Sequence, residues 1–369
     1  MRPGRITAAV VATSLVTGAG LVGRAGASST FLGGKTVSAN QASTVPAKGD
    51  VNPYGVAVVP RSVGALHRGS VLVSNFNNAS NAQGTGTTIV QISPGGTQAL
   101  FADVRLTSSQ RCPGGVGLTT ALAVFRSGWV VVGSLPTADG TSATAKAGCL
   151  IVLDASGHVV ETIAGGPING PWDMTSTELG DDGVLFVTNV LNGLDPNAPP
   201  TAIVDRGTVV RVVLDLHGGA PRIDSETVVA SGLPERNDPA ALVVGPTGVG
   251  LGLDDRVLFV ASTVDNRITA VPAPLELRGP QFGGGFTISR DGALNQPLGL
   301  AVAPNGDLIT VNGGDGLAVE TDPRRGQVAT AALDMSSAPA GTLFGLAVAP
   351  DGHGLYFVDD GTNTLNLFS

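Results

Sequence analysis

The sequence predicts an all-β fold, a six-bladed β-propeller of four-stranded antiparallel blades, and three observations carry that prediction. A short apolar phrase recurs: GVAVVP from Gly55, ALAVFR from Ala121, DMTSTE from Asp173, ALVVGP from Ala241, and GLAVAP from both Gly299 and Gly345. Each copy is followed by two further β-rich runs with Gly, Asp and Asn clusters between them, the pattern of antiparallel strands joined by tight turns. The copies start about 46 to 68 residues apart, within the range of propeller blades.

Composition agrees. Of 369 residues, 42% are hydrophobic and 14% charged, and there are 53 glycines and 24 prolines. A large core is affordable at this length, but so much Gly and Pro disfavours long helices.

The elements follow in chain order. Residues 1–27 read as a secretory signal peptide: Arg2 and Arg5 precede an apolar run from Ile6, and Ala25-Gly26-Ala27 supplies a cleavage signal. The competing reading is an uncleaved membrane anchor. No later stretch has the 18 uninterrupted apolar residues of a membrane span. The expected location is therefore secreted or extracytoplasmic, with residues 28–369 forming one propeller domain, expected to be a monomer.

Second strands are expected at SVLVSN (Ser70), WVVVGS (Trp129), VLFVTN (Val184), VLFVAS (Val257), DLITVN (Asp307) and LYFVDD (Leu355). Third strands follow as TTIVQIS, CLIVLDA, TVVRVVL, RITAVPA, GLAVETD and TLNLFS. First strands carry Gly and Ala because the innermost strands crowd the axis; the others carry bulkier Val, Leu, Ile and Phe.

The last blade ends at Phe368-Ser369 without an outer strand. Residues 34–45, GKTVSANQASTV, belong to no repeat. They are expected to pair with the last blade and close the ring, sparing it an exposed edge; the alternative is a linker after the leader.

Two cysteines, Cys112 and Cys149, are an even count in an exported chain and suggest one disulfide. Two buried thiols are the alternative. The blade register places both at one mouth of blade two, flanking the long Leu135–Gly148 insertion.

Formal net charge is -8, and removing Arg2, Arg5 and Arg24 with the leader makes it -11. Such a chain is repelled by phosphate backbones, so nucleic acid is not an expected partner.

The phrase seen in Pro297–Asn312 and Leu343–Asn366 is similar to the NHL repeat. The wider pattern resembles the six-bladed propellers that include gluconolactonase-like and strictosidine-synthase-like proteins. Relatives of the gluconolactonase kind imply a divalent cation at the axis, held by a Glu leading into the first blade, two asparagines and an Asp. Here that approach reads Asn52-Pro53-Tyr54, and Asn237-Asp238-Pro239 stands where Pro-Asn-Gly is expected. Asn189 matches one asparagine role.

In such rings the loops approaching the first strands and those between second and third strands share one face. This places Tyr54, Asn75, Trp172, Asp173, Asn189, Asp238, Asp265, Asn312, Asp359 and Asp360 around one mouth as candidate ligand-binding residues. Amides, carboxylates and aromatics in such numbers suit a glycan, another small molecule, a protein ligand, or a hard cation such as calcium. Asp and Asn after strands are also ordinary turn formers.

His67, His158, His217 and His353 lie in Gly-containing turns and give no metal or nucleophile pattern. Gly33-Gly34-Lys35-Thr36 lacks the first glycine, strand and helix of a phosphate loop. Asn78-Ala79-Ser80 has the form of a glycosylation acceptor.

With no complete catalytic constellation, the first expectation is a non-enzymatic propeller binding a ligand or partner at one mouth. The alternative is a divalent-metal-dependent lactonase or lyase acting there through Asp173, Asn189, Asp238 and Asp265 or Asp359.

Overall fold

The fold was taken from a computed structural model, which describes residues 30–38 and 42–369. The leader expected over residues 1–27 lies outside the described residues, apart from which the chain forms six sheets, each built on a four-stranded antiparallel blade. Blade one runs Val51–Val58, Val71–Asn77, Thr88–Ile92 and Gln98–Asp103. Blade two runs Leu118–Val124, Val130–Ser134, Cys149–Leu153 and Val159–Ile163. Blade three is the longest, with Gly170–Leu179, Asp182–Val190, Val204–Asp215 and Arg222–Asp238. Blades four and five run Pro246–Leu251, Val257–Ser262, Arg267–Pro272, Phe286–Arg290, and Pro297–Val302, Leu308–Asn312, Leu317–Asp322, Gly326–Ala332. Among the described residues the helical content is one 3-10 turn, Ser142–Thr144, and no helix is long and apolar enough to cross a membrane.

Blade six joins Leu343–Val348, Leu355–Asp359 and Thr364–Phe368 to the N-terminal ribbon, whose Ala42–Ser43 pairs with Leu365 and Thr364. Further along, Thr36 and Ser369 exchange both backbone hydrogen bonds, and Ser38 N–H donates to the Leu367 carbonyl. The ribbon is also tied to blade five, because the buried Glu320 carboxylate accepts the Phe31 and Leu32 N–H groups at 2.6 and 2.9 Å. Phe31 and Leu32 pack beside Ile309 and Leu355. The N-terminal segment therefore closes the ring.

The inner strands meet almost backbone to backbone. A Cβ on Gly345 would sit 2.1 Å from the Tyr54 carbonyl oxygen, and one on Gly299 would sit 2.2 Å from that of Phe344. Gly248 and Gly55 face Leu298 and Thr120 in the same way. Hydroxyls stitch other seams: Ser74, Thr188 and Thr263 donate to the carbonyls of Thr119, Thr247 and Pro297, each at 2.7 Å. Every inner strand carries a bulge beside this contact, for example between Pro53 and Gly55.

One strand assignment is corrected. Ala241–Pro246 is not the inner strand of blade four; Leu242–Val244 folds back onto Arg236–Asp238 as an addition to blade three. The inner strand is PTGVGL, Pro246–Leu251. It supplies the glycine the axis requires, whereas buried Leu242, Val243 and Val244 fill the loop-side mouth.

Deleting residues 1–45 removes the ribbon and unburies the site of Phe31 and Leu32. At about 1.5–3 kcal/mol for each buried side chain, the melting temperature is expected to fall by about 10 °C. Size-exclusion chromatography should then show oligomers paired through the bare Thr364–Phe368 edge; a monomer with unchanged melting contradicts this closure.

Candidate functional site

A residue at or near the end of each second strand, together with the start of the inner strand it pairs with, builds the loop face. These residues are Asn75, Ser134, Asn189, Ser262, Asn312 and Asp359, opposite Pro53, Leu118, Pro171, Pro246, Pro297 and Leu343. The position holds the approaching loop. Asn189 Oδ1 accepts the Asn169 and Gly170 N–H groups, and its Nδ2 donates to the Pro167 carbonyl. Asn312 accepts from Asn295 N–H and donates to Ala293 O and Asp315 Oδ1. Asn75 Nδ2 donates to Thr44 O and Thr88 Oγ1. Amide side chains suit this task because each offers a donor and an acceptor at once.

The next inner-strand residues carry the aromatics, and these close the axis. Tyr54 stacks on Phe344 at 3.8 Å between ring centroids and on Phe76 at 4.5 Å, while Trp172 stands 6.3 Å from Tyr54. Trp172 Nε1 donates to the Val243 carbonyl at 2.9 Å, which fixes Leu242–Val244 over the rings. Leu298 and Leu194 complete this buried plug.

The sequence-predicted residues are therefore divided. Tyr54 and Trp172 meet in the plug. Asp173 lies one residue further along, in the axial channel that opens on the other face. Asp238 is paired with Arg236 at 2.7 Å, and its other oxygen accepts the Ala240 and Ala241 N–H groups. Asp265 is paired with Arg267 at 2.9 Å and Arg290 at 3.3 Å. Asp359 and Asp360 remain at the loop face. The cation implied by the family resemblance does not fit this arrangement, because Asp173, Asn189, Asp238 and Asp265 have separate partners and places. Among the described residues no three His, Cys, Asp or Glu side chains gather in a metal-binding group.

What the loop face does assemble is a recess of about 390 Å³ lined by Asn52, Asn77, Asn81, Gln83, Asp360 and Asn363 with Val51, Ala79 and Ala240. Burial, reinforced by the nearby carboxylates Asp359 and Asp334, pushes the Asp360 carboxyl up to about 7. Asp359 is raised as well, mainly by burial. The Tyr54 hydroxyl is held far above its ordinary value by burial and then by the charge of Asp360. Asn77 Oδ1 and Gln83 Oε1 are buried without hydrogen-bond partners. Gln83 Nε2 donates to Pro239 O, linking this recess to a second of about 440 Å³ lined by Gly140–Ala143, Pro196–Ala198 and Asn237–Pro239.

In the first recess, Asp360 is the carboxylate that the sequence places at this mouth. Asn52, Asn81 and Asn363 adopt left-handed backbone conformations, at φ 61°, 58° and 54°. A left-handed Asn is a turn signal, and nothing in a linear chain shows three such turns facing each other.

Neither a family model nor a curated protein matches this sequence. Solved structures do. A gluconolactonase from Xanthomonas campestris superposes with a TM-score of 0.54 at 15% identity, covering 89% of this chain and 86% of that one. Virginiamycin B lyase from Staphylococcus aureus gives 0.54 at 14%, covering 91% and 99%. A luciferin-regenerating enzyme gives 0.55 at 11%, covering 91% and 94%. The chain is a six-bladed β-propeller. Its structural neighbours include gluconolactonase-like and virginiamycin B lyase propellers, and likeness at these identities shows the fold alone.

Cys112 and Cys149 form a disulfide with Cα atoms 5.2 Å apart across 37 residues of sequence. It anchors the base of the loop that carries Gly140–Ala143 to the second recess. Replacing both cysteines with serine is expected to cost about 3–4 kcal/mol in the chain-entropy picture. Hydrogen exchange should rise first across residues 135–148; exchange confined to other blades contradicts this anchoring.

Proposed function

We propose that the chain is a ring-opening enzyme of the lactonase or lyase kind, working in the Asp360 recess. The observation that carries this reading is a carboxyl tuned to about 7 in a recess lined by five amide side chains. A carboxylate that titrates near neutrality serves as a general base, taking a proton from an attacking water or from carbon beside a carbonyl. Amides in left-handed turns offer donors and acceptors to a hydroxylated, cyclic substrate. The named activities of the gluconolactonase and lyase neighbours lend further support, since both enzymes act at this class of fold.

Export of the mature chain from the cell belongs to the same proposal, as does the monomeric state. No step here is routed through a metal, because among the described residues the predicted ligands do not gather into one group. A second reading, a propeller that binds a polar ligand without turning it over, is favoured by the aromatic plug that fills the axis.

Assay of the purified protein against aldonolactones and cyclic ester peptides separates the two. Turnover is expected, with kcat/KM rising with pH up to about 7 and then levelling, as base catalysis by Asp360 requires. Asp360→Asn should lower kcat/KM by about 10²–10⁴ while leaving melting nearly unchanged. Binding of a lactone or sugar without turnover supports the second reading; turnover untouched by Asp360→Asn removes the first.

A further inference from the structure

The axial channel opens on the face opposite the Asp360 recess and shares no residue with it. Its volume is about 330 Å³, within the range of small-molecule sites, and all six inner strands line it. The walls combine aliphatic side chains, including Val56, Leu122, Met174, Val249, Leu300 and Leu346, with the hydroxyl residues Thr120, Thr175 and Ser176. Asp173 is the charged residue in this lining.

Asp173 breaks the repeat. The corresponding inner-strand residue is Gly55, Gly248, Gly299 or Gly345 in four other blades, where backbone contact leaves no room for a side chain. Blade three alone places a carboxyl there, with 9% of the residue exposed. Its oxygens accept the Met174 N–H at 2.8 Å and the Val249 N–H at 3.4 Å, and among the described residues no Lys, Arg or His pairs with it. Burying a carboxyl without a counter-charge is costly, and a propeller with glycine at the repeat position avoids that cost. A second buried polar group lines the same channel: Thr120 is 3% exposed and its Oγ1 has no hydrogen-bond partner.

We propose that this channel binds an organic ammonium ion, a protonated amine with an apolar substituent, whose charge pairs with Asp173 and whose N–H also reaches Thr120. A hard metal ion is disfavoured because it takes six or more oxygen ligands, with several carboxylates commonly among them, and Asp173 is the one carboxylate in this lining. An anion would meet the Asp173 carboxyl with no cationic side chain in the lining to offset it. An amine with a hydrocarbon tail matches both parts of the site.

Burial pushes the ligand-free Asp173 carboxyl up to about 8, only partly offset by the two N–H groups. At pH 7 the free channel therefore holds a proton on Asp173. As the ammonium ion enters, that proton leaves to solvent and the carboxylate remains paired with the ligand.

Calorimetric titration of the full chain with n-hexylammonium chloride tests the proposal, with 1-hexanol, tetramethylammonium chloride and calcium chloride as comparisons. Hexylammonium is expected to bind, to release about one proton per site at pH 7, and to bind more tightly as pH rises from 6 to 8. The proton count comes from heats in two buffers of different ionisation enthalpy. Asp173→Asn, nearly isosteric with the protonated acid, should weaken binding at least about tenfold, and Thr120→Val severalfold. Ala301→Phe narrows the channel without touching Asp173 and should also abolish binding, which keeps the test decisive if Asp173→Asn unfolds. No heat with hexylammonium, equal affinity for 1-hexanol, binding insensitive to Asp173→Asn or Ala301→Phe, or displacement by calcium would each overturn it.

Discussion

The constraint on which this molecule depends is the contact of one inner-strand backbone with the next around the axis. Gly345 meets Tyr54, Gly299 meets Phe344, Gly248 meets Leu298 and Gly55 meets Thr120, in each case too closely to admit a Cβ without displacement. Packing this tight draws the sheets into a closed ring and leaves their bulky faces to pair between blades. It also decides where function can enter. At the glycine position a side chain enters only in blades two and three, as Thr120 and Asp173, and beside it the bulge turns Tyr54, Trp172 and Phe344 inward.

The two ends of the axis consequently have different chemistry. Toward the loops, stacked aromatics and Leu242–Val244 exclude water, and polar chemistry moves outward to the recess around Asp360. Toward the other face the channel stays open, walled by aliphatic and hydroxyl side chains with Asp173 among them. In both places a carboxyl is raised chiefly by loss of solvent, but the neighbours differ: amides and further carboxylates surround Asp360, whereas Asp173 has only backbone N–H donors. The first arrangement suits proton transfer and the second suits charge pairing.

Much of the fold was legible because the repeat is written in residues that the geometry needs. The alternation of GLAVAP-like inner strands with Val-rich outer ones survives direct comparison of blades, and the missing outer strand of blade six pointed to the ribbon. The error at Ala241 arose because ALVVGP imitates the phrase while PTGVGL, with its glycine in the right place, does not. Asp173, expected with the loop-face residues, lies in the channel toward the other face, and the roles of the rest were not legible. Asn75, Asn189 and Asn312 look like ligands in sequence and act as loop clamps in space. The Asp360 recess draws Asn52, Asn77, Gln83 and Asn363 from blades one and six, and no local spacing records that meeting. Asp173 did leave a signal: P-W-D-M stands where other blades read P-Y-G-V, P-T-G-V and P-L-G-L.

The glycine contact is open to a direct measurement, thermal unfolding of Gly345→Ala beside Gly219→Ala. Both changes add one methyl group; the first would place it against the Tyr54 carbonyl, and the second would place it in open space. Axial closure predicts that Gly345→Ala melts well below the parent, by about 2 kcal/mol or more, while Gly219→Ala matches it. Equal melting of the two variants would contradict the account, because the inner strands could then separate without cost and the axis would not dictate what enters it.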